Sequence, residues 1–132
     1  MIYLDTSALV KLVRPEAETI ALELFLDKHE RRPQVTSELV ITEIRRALAR
    51  HGAPQDQFDT ANDLLDRLVL LPVNRPVLEY AAAVPGRHLR TLDAIHLASA
   101  LRLRSGLSLL VTYDQRMAEA AREANVPVTV PA

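Results

Sequence analysis

The chain has no cysteine and no tryptophan, only three glycines, and only two lysines, Lys11 and Lys28, among its 16 basic residues. Without cysteine there can be no disulfide and no cysteine-ligated zinc or iron–sulfur centre. Gly52, Gly86 and Gly106 stand far apart, so they assemble neither a phosphate-cradling loop nor a dinucleotide fingerprint. No apolar run approaches the roughly 20 residues of a membrane-spanning helix. The opening, MIYLDTSALV, has no basic leader and no small-residue cleavage site, and does not read as a signal peptide. Ser7 lacks the glycine-flanked turn of a nucleophile elbow. These absences lead us to expect a soluble cytoplasmic protein with no membrane association.

What is present is ordinary in amount and particular in pattern. Hydrophobic residues make up 48 % of the 132 residues, as in a globular chain. The length suits one domain, expected to span residues 1–132. The net charge is only −1, yet the basic residues are nearly all arginine, whose planar fork suits phosphate oxygens. A GC-rich genome would enrich arginine equally, so the bias permits a nucleic-acid partner without requiring one.

Five segments have strand character: Ile2–Leu4, Gln34–Thr36, Val69–Val73, Leu107–Tyr113 and Val128–Val130. Helical patterns are expected between them, near Ser7–Val13, Glu16–Arg31, Glu38–His51, Gln55–Leu68, Arg75–Val84, Thr91–Arg104 and Asp114–Ala124. Such alternation predicts an α/β fold, a three-layer sandwich with helices flanking a mainly parallel five-stranded sheet. Pro72 interrupts the third strand, and Pro127 and Pro131 bracket the fifth. Proline cannot donate to a ladder, so these two strands belong at the edges. With sequential neighbours and right-handed crossovers, the expected order is 3-2-1-4-5. Strands 1 and 4 then adjoin where the winding reverses, the place at which open α/β sheets bind ligands.

Two acids follow those strands, Asp5 in YLDTS and Asp114 in VTYDQ. Each is also a preferred helix N-cap, so the cap and the site readings both stand. In TLDAIHLASA, Asp93 falls in the first turn of a helix that Thr91 can cap, a position favoured by the helix dipole. Leu97, Ala100 and Leu101 share its face at about 100° per residue, and an unpaired ionised acid among apolar neighbours is costly. Glu43 lies between Leu39 and Ala47 on its wheel, at the edge of an apolar stripe. It either pairs with Arg46 or Arg50 or faces a site.

Four acids from four elements converging on one crevice would repel each other unless a cation sat among them. All-oxygen ligation with room for water suits Mg²⁺ or Mn²⁺. With those four set aside, the 16 bases outnumber the remaining acids, a balance suited to a polyanion. Arg46, Arg87 and Arg116 flank the acids and are candidate substrate contacts, each equally readable as solvated surface charge. Thr112 either fills a strand position or orients a water or a phosphate. His96 reads as a packed or hydrogen-bonded helix residue. Phe58, Ala61, Leu65 and Leu68 form a narrow apolar stripe, for the core or for a second protomer.

MIYLDTSALVKL, SELVITEIRRAL, TLDAIHLASAL and LLVTYDQRMAEAA, in that order, resemble the PIN-domain family, and more narrowly the VapC-type toxins of bacterial toxin–antitoxin pairs. The resemblance runs from Met1 to about Pro127, with Asn125 where relatives often carry a helix-ending glycine. It implies a Mg²⁺-dependent ribonuclease, with Mn²⁺ as a substitute, cutting transfer or ribosomal RNA. It puts the family's acidic positions on Asp5, Glu43, Asp93 and Asp114, with Asp5 and Asp93 as principal metal ligands. It also implies a cognate VapB-type antitoxin, a homodimer, and a heterotetramer or larger assembly with that antitoxin.

Two rival readings differ in testable features. A phosphohydrolase or phosphoacceptor using Asp5 as nucleophile would want a second aspartate nearby and a late lysine, but Thr6 and Ser7 follow Asp5 and no lysine follows Lys28. A binding module that had lost catalysis would be expected to lack one of the acids, and all four are present.

Overall fold

A computed structural model describes residues 1–132. Strand β1 (Ile2–Leu4) is buried along its whole length, as a central parallel strand covered on both faces must be. It pairs with β2 (Gln34–Ser37) on one side and β4 (Leu109–Val111) on the other. The edge strands are β3 (Val69–Leu71) beside β2 and β5 (Val128–Thr129) beside β4. Every pairing is parallel and the order is 3-2-1-4-5, as the prolines indicated. Three strands are shorter than expected, β5 only by its last residue, Val130. β3 stops at Leu71 because Pro72 has no N–H to give, and β4 starts at Leu109 because a 3₁₀ turn at Arg104–Gly106 precedes it.

Alternation along β1 divides the core. Ile2 and Leu4 pack with α1 (Thr6–Val13), α2 (Thr19–Lys28), α3 (Val40–Arg50) and α4 (Gln55–Arg67) in one apolar cluster. Tyr3 faces the opposite side and packs with α6 (Thr91–Leu101) and α7 (Gln115–Glu123) in a second. A short helix, α5 (Arg75–Ala81), covers α6 through Val77, Ile95 and Ala98. The result is the expected three-layer sandwich. Ala61, Leu65 and Leu68 lie buried in the first cluster with Phe58 against it, so the α4 stripe serves the core.

The helix starts need correction. Glu16 and Glu18 do not open α2: both carboxylates reach back to Lys11, at 2.7 and 2.8 Å, in a turn before Thr19. The N-cap position of α6 is Arg90, without a side-chain cap, and Thr91 is already helical. Asn125, after α7, has φ of 61°, the left-handed conformation that asparagine tolerates better than most residues. No helix is long and apolar enough to cross a membrane.

Candidate active site

Asp5 and Asp114 leave the carboxyl ends of the adjoining strands β1 and β4 and N-cap α1 and α7. Cap and site are therefore compatible functions of one side chain. Asp5 Oδ1 accepts from Ala8 N at 3.1 Å and from Ser7 Oγ at 2.6 Å, while Oδ2 accepts from Thr112 Oγ1. Asp114 spends only Oδ1 on its cap, accepting from Met117 N at 3.0 Å. Ser7 Oγ also accepts from Tyr113 N at 2.9 Å, and Thr112 Oγ1 accepts from Asp114 N at 3.0 Å. These bonds lock the ends of β1 and β4 in register.

Thr112 is fully buried. Its hydroxyl donates to the Asp5 carboxylate and accepts from the Asp114 backbone N–H, so it supports Asp5 and the turn that carries Asp114.

Asp93, half-buried in the first turn of α6, makes no protein hydrogen bond. Burial pushes its carboxyl above the usual value; the charge of Asp114 adds to this, His96 opposes it, and Asp5 and Glu43 add smaller amounts. The four acids therefore share one field. Burial also raises the Asp5 carboxyl, against the pull of the Ser7 and Thr112 hydroxyls, His96 and the Ala8 N–H.

Of the two alternatives for Glu43, the pairing with Arg46 or Arg50 is not formed. Arg46 and Arg50 are exposed and neither bonds to it. Instead Oε1 accepts from Thr6 Oγ1 at 2.8 Å and lies 2.6 Å from His96 Nε2. Burial raises the Glu43 carboxyl, but the His96 bond and charge and the Thr6 hydroxyl outweigh it and hold the group below its usual value.

Arg90 and Arg116 line an open cleft with Tyr113, Asp114, Gln115 and Glu119. Arg87 borders a different, mostly apolar concavity between α5 and α6, and Arg46 stands on the exposed face of α3. Sequence reasoning passed over Thr6, Ser7 and the site-facing bonds of His96. The available signals were the two hydroxyls directly after Asp5 and a histidine one helical turn beyond Asp93.

No lysine or arginine forms an ion pair with Asp5, Asp93 or Asp114. The donor set is oxygen-only, crowded with like charge, and uncompensated by a protein cation, which fits a hard divalent ion. No three of these groups close around a metal position, and of the four acids Asp114 is the one that lines the open cleft. That is compatible with Mg²⁺, which commonly takes one or two carboxylates and keeps several waters.

A parallel sheet in this order with acids at its switch point is the architecture expected of a PIN domain, and the chain belongs to that family, whose model matches residues 2–123. Within the family it falls among the VapC-type members. It is 42 % identical over 125 residues to Ribonuclease VapC47 of Mycobacterium tuberculosis, covering 93 % of this chain and 91 % of that one. To Ribonuclease VapC46 of the same organism it is 43 % identical over 130 residues, covering 98 % and 97 %. Its fold superposes on VapBC2 of Rickettsia felis, crystallised with a DNA fragment from their promoter, with a TM-score of 0.76 at 16 % identity, covering 98 % of each chain.

Proposed function

We propose that this chain is a Mg²⁺-dependent endoribonuclease, acting as one domain in the cytoplasm as the toxin of a toxin–antitoxin pair. The observation that carries the reading is the cluster of Asp5, Glu43, Asp93 and Asp114, whose charges act on one another and with which no arginine or lysine pairs. The names of the full-length relatives supply ribonuclease as the reaction class. The capture of a VapC-type fold with its VapB partner supports a cognate antitoxin. A homodimer, and a heterotetramer or larger assembly with the antitoxin, extend the same reading.

Asp5 and Asp93 would hold the metal, with Mn²⁺ as a substitute. When bound, a divalent ion supplies positive charge to the phosphodiester and acidifies water for in-line attack. Asp5 is held in place by Ser7, Thr112 and the Ala8 N–H, whose bonds favour its ionised form against the effect of burial. Asp114 offers Oδ2 to the cleft, and Glu43 adds its charge to the cluster from α3. Arg116 and Arg90 draw the flanking phosphates of transfer or ribosomal RNA toward Asp114, with Arg46 and Arg87 extending the track.

The test is cleavage of total RNA by purified protein with Mg²⁺, with Mn²⁺ and with chelator, followed by end analysis. Mg²⁺-dependent cuts leaving 5′-phosphates are expected from the wild type and not from Asp5→Asn. RNA left intact by wild-type protein with Mg²⁺ would defeat the proposal.

A further inference from the structure

Glu43 is restrained through one oxygen. Oε1 accepts from Thr6 Oγ1 at 2.8 Å and lies 2.6 Å from His96 Nε2, with Thr6 Oγ1 3.2 Å from the same nitrogen. No protein hydrogen bond reaches Oε2. The other ring nitrogen of His96, Nδ1, lies 2.7 Å from the Tyr3 hydroxyl, with the two rings edge to face. His96 is 1 % exposed and Tyr3 is wholly buried.

These contacts fix one proton. An ionised carboxylate can only accept, so Nε2 carries the proton given to Glu43, while Nδ1 and the Tyr3 hydroxyl pair with each other as donor and acceptor. Burying a ring with two polar nitrogens beside a phenol is costly unless both are paired. Packing alone would be met by an apolar side chain such as the neighbouring Leu97. The three residues come from β1, α6 and α3, so the chain of bonds ties the central strand to a helix on either side of the sheet.

We infer that His96 is a positioning residue for Glu43: backed by Tyr3, it restrains Oε1 and leaves Oε2 without a protein partner, in a carboxylate whose charge is felt at Asp93. This rests on the nuclease reading above. Groups one bond behind a metal-site carboxylate fix its orientation, and losing one typically costs about 10–100-fold in activity or metal affinity.

A pair of near-isosteres tests it. The amide nitrogen of glutamine sits about where Nε2 does and can still donate to Glu43; the shorter amide of asparagine reaches only about as far as Nδ1. His96→Asn should lower kcat for RNA cleavage about 10–100-fold and raise the Mg²⁺ concentration for half-maximal rate, with KM for RNA unchanged. His96→Gln should recover most of the loss. Equal losses in the two variants, or wild-type kcat in His96→Asn, would overturn the inference. If neither histidine variant folds, Tyr3→Phe carries the test: a lower kcat at constant KM sustains it and an unchanged kcat overturns it. Should the wild type fail to cut RNA, the nuclease reading falls by itself. Crystal structures then decide the positioning: a Glu43 carboxylate displaced in His96→Asn sustains it, and one left in place overturns it.

Discussion

Ser7 donates its hydroxyl to Asp5 Oδ1 at 2.6 Å while accepting the Tyr113 N–H at 2.9 Å, so one small side chain fastens a buried carboxylate to the end of β4. Ser7→Ala should cost about 1.5–3 kcal/mol of stability, the range for a bond to a charged group. The bond favours the ionised form of Asp5, so its loss raises a carboxyl already held high by burial. The acid limb of the pH–activity profile should therefore move to higher pH. Superimposable profiles for wild type and variant would show that Ser7 does not govern Asp5.

Asp93→Asn separates a metal ligand from a packed acid. The folded-state pKa of Asp93 lies above its ordinary 3.8, first because of burial and then because of Asp114. The folded protein therefore binds its proton more tightly than the unfolded chain, and ionising the group costs stability as pH rises through the raised pKa. Without metal, Asp93→Asn should match or exceed wild type in Tm at neutral pH, and the advantage should vanish as pH falls toward 3.8. Mg²⁺-induced stabilisation should shrink, and RNA cleavage should fall by orders of magnitude. A variant that cuts RNA at the wild-type rate would remove Asp93 from the metal site.

Arg90 and Arg116 line the cleft beside Asp114, whereas Arg45 is spent on Ile41 O and Asn62 Oδ1, at 2.9 and 2.7 Å. Alanine at position 116 or 90 should flatten the dependence of log RNA affinity on log salt by about one unit, the loss of one phosphate contact. Arg45→Ala should leave the slope unchanged. The reverse pattern would take the RNA contacts away from the cleft beside Asp114.

Leu65 lies in the core cluster under β1, so Leu65→Glu should unfold the protein, since core truncation alone costs about 2–5 kcal/mol and a buried unpaired charge adds to that. Circular dichroism and light scattering would check this. A folded monomer at wild-type Tm, from a wild type that is dimeric, would make the α4 stripe an interface after all.

Much of this was legible in the residue order. Proline placement set the edge strands because a missing N–H is a local fact, true wherever the strand lies. Asp5 and Asp114 could be assigned to the switch point because each directly follows a strand whose neighbours the topology rules constrain. The boundaries of α2 and α6 were less legible. Helical periodicity continues through Glu16 and Glu18, and only the approach of Lys11 shows that those carboxylates are committed elsewhere.

The partners of Glu43 could not be read from the chain. Periodicity put it at the edge of a stripe, within reach of Arg46 and Arg50 on its own helix. Its actual donors lie 37 and 53 residues away, at Thr6 and His96. Local pattern determined the sheet order and the apolar faces and singled out the four acids as candidates, because these depend on backbone donors and on side-chain spacing within one element. Which oxygen of Glu43 is held, and which is left free, depended on how α1, α3 and α6 meet across the end of the sheet. Only close packing of the whole chain fixes that relation.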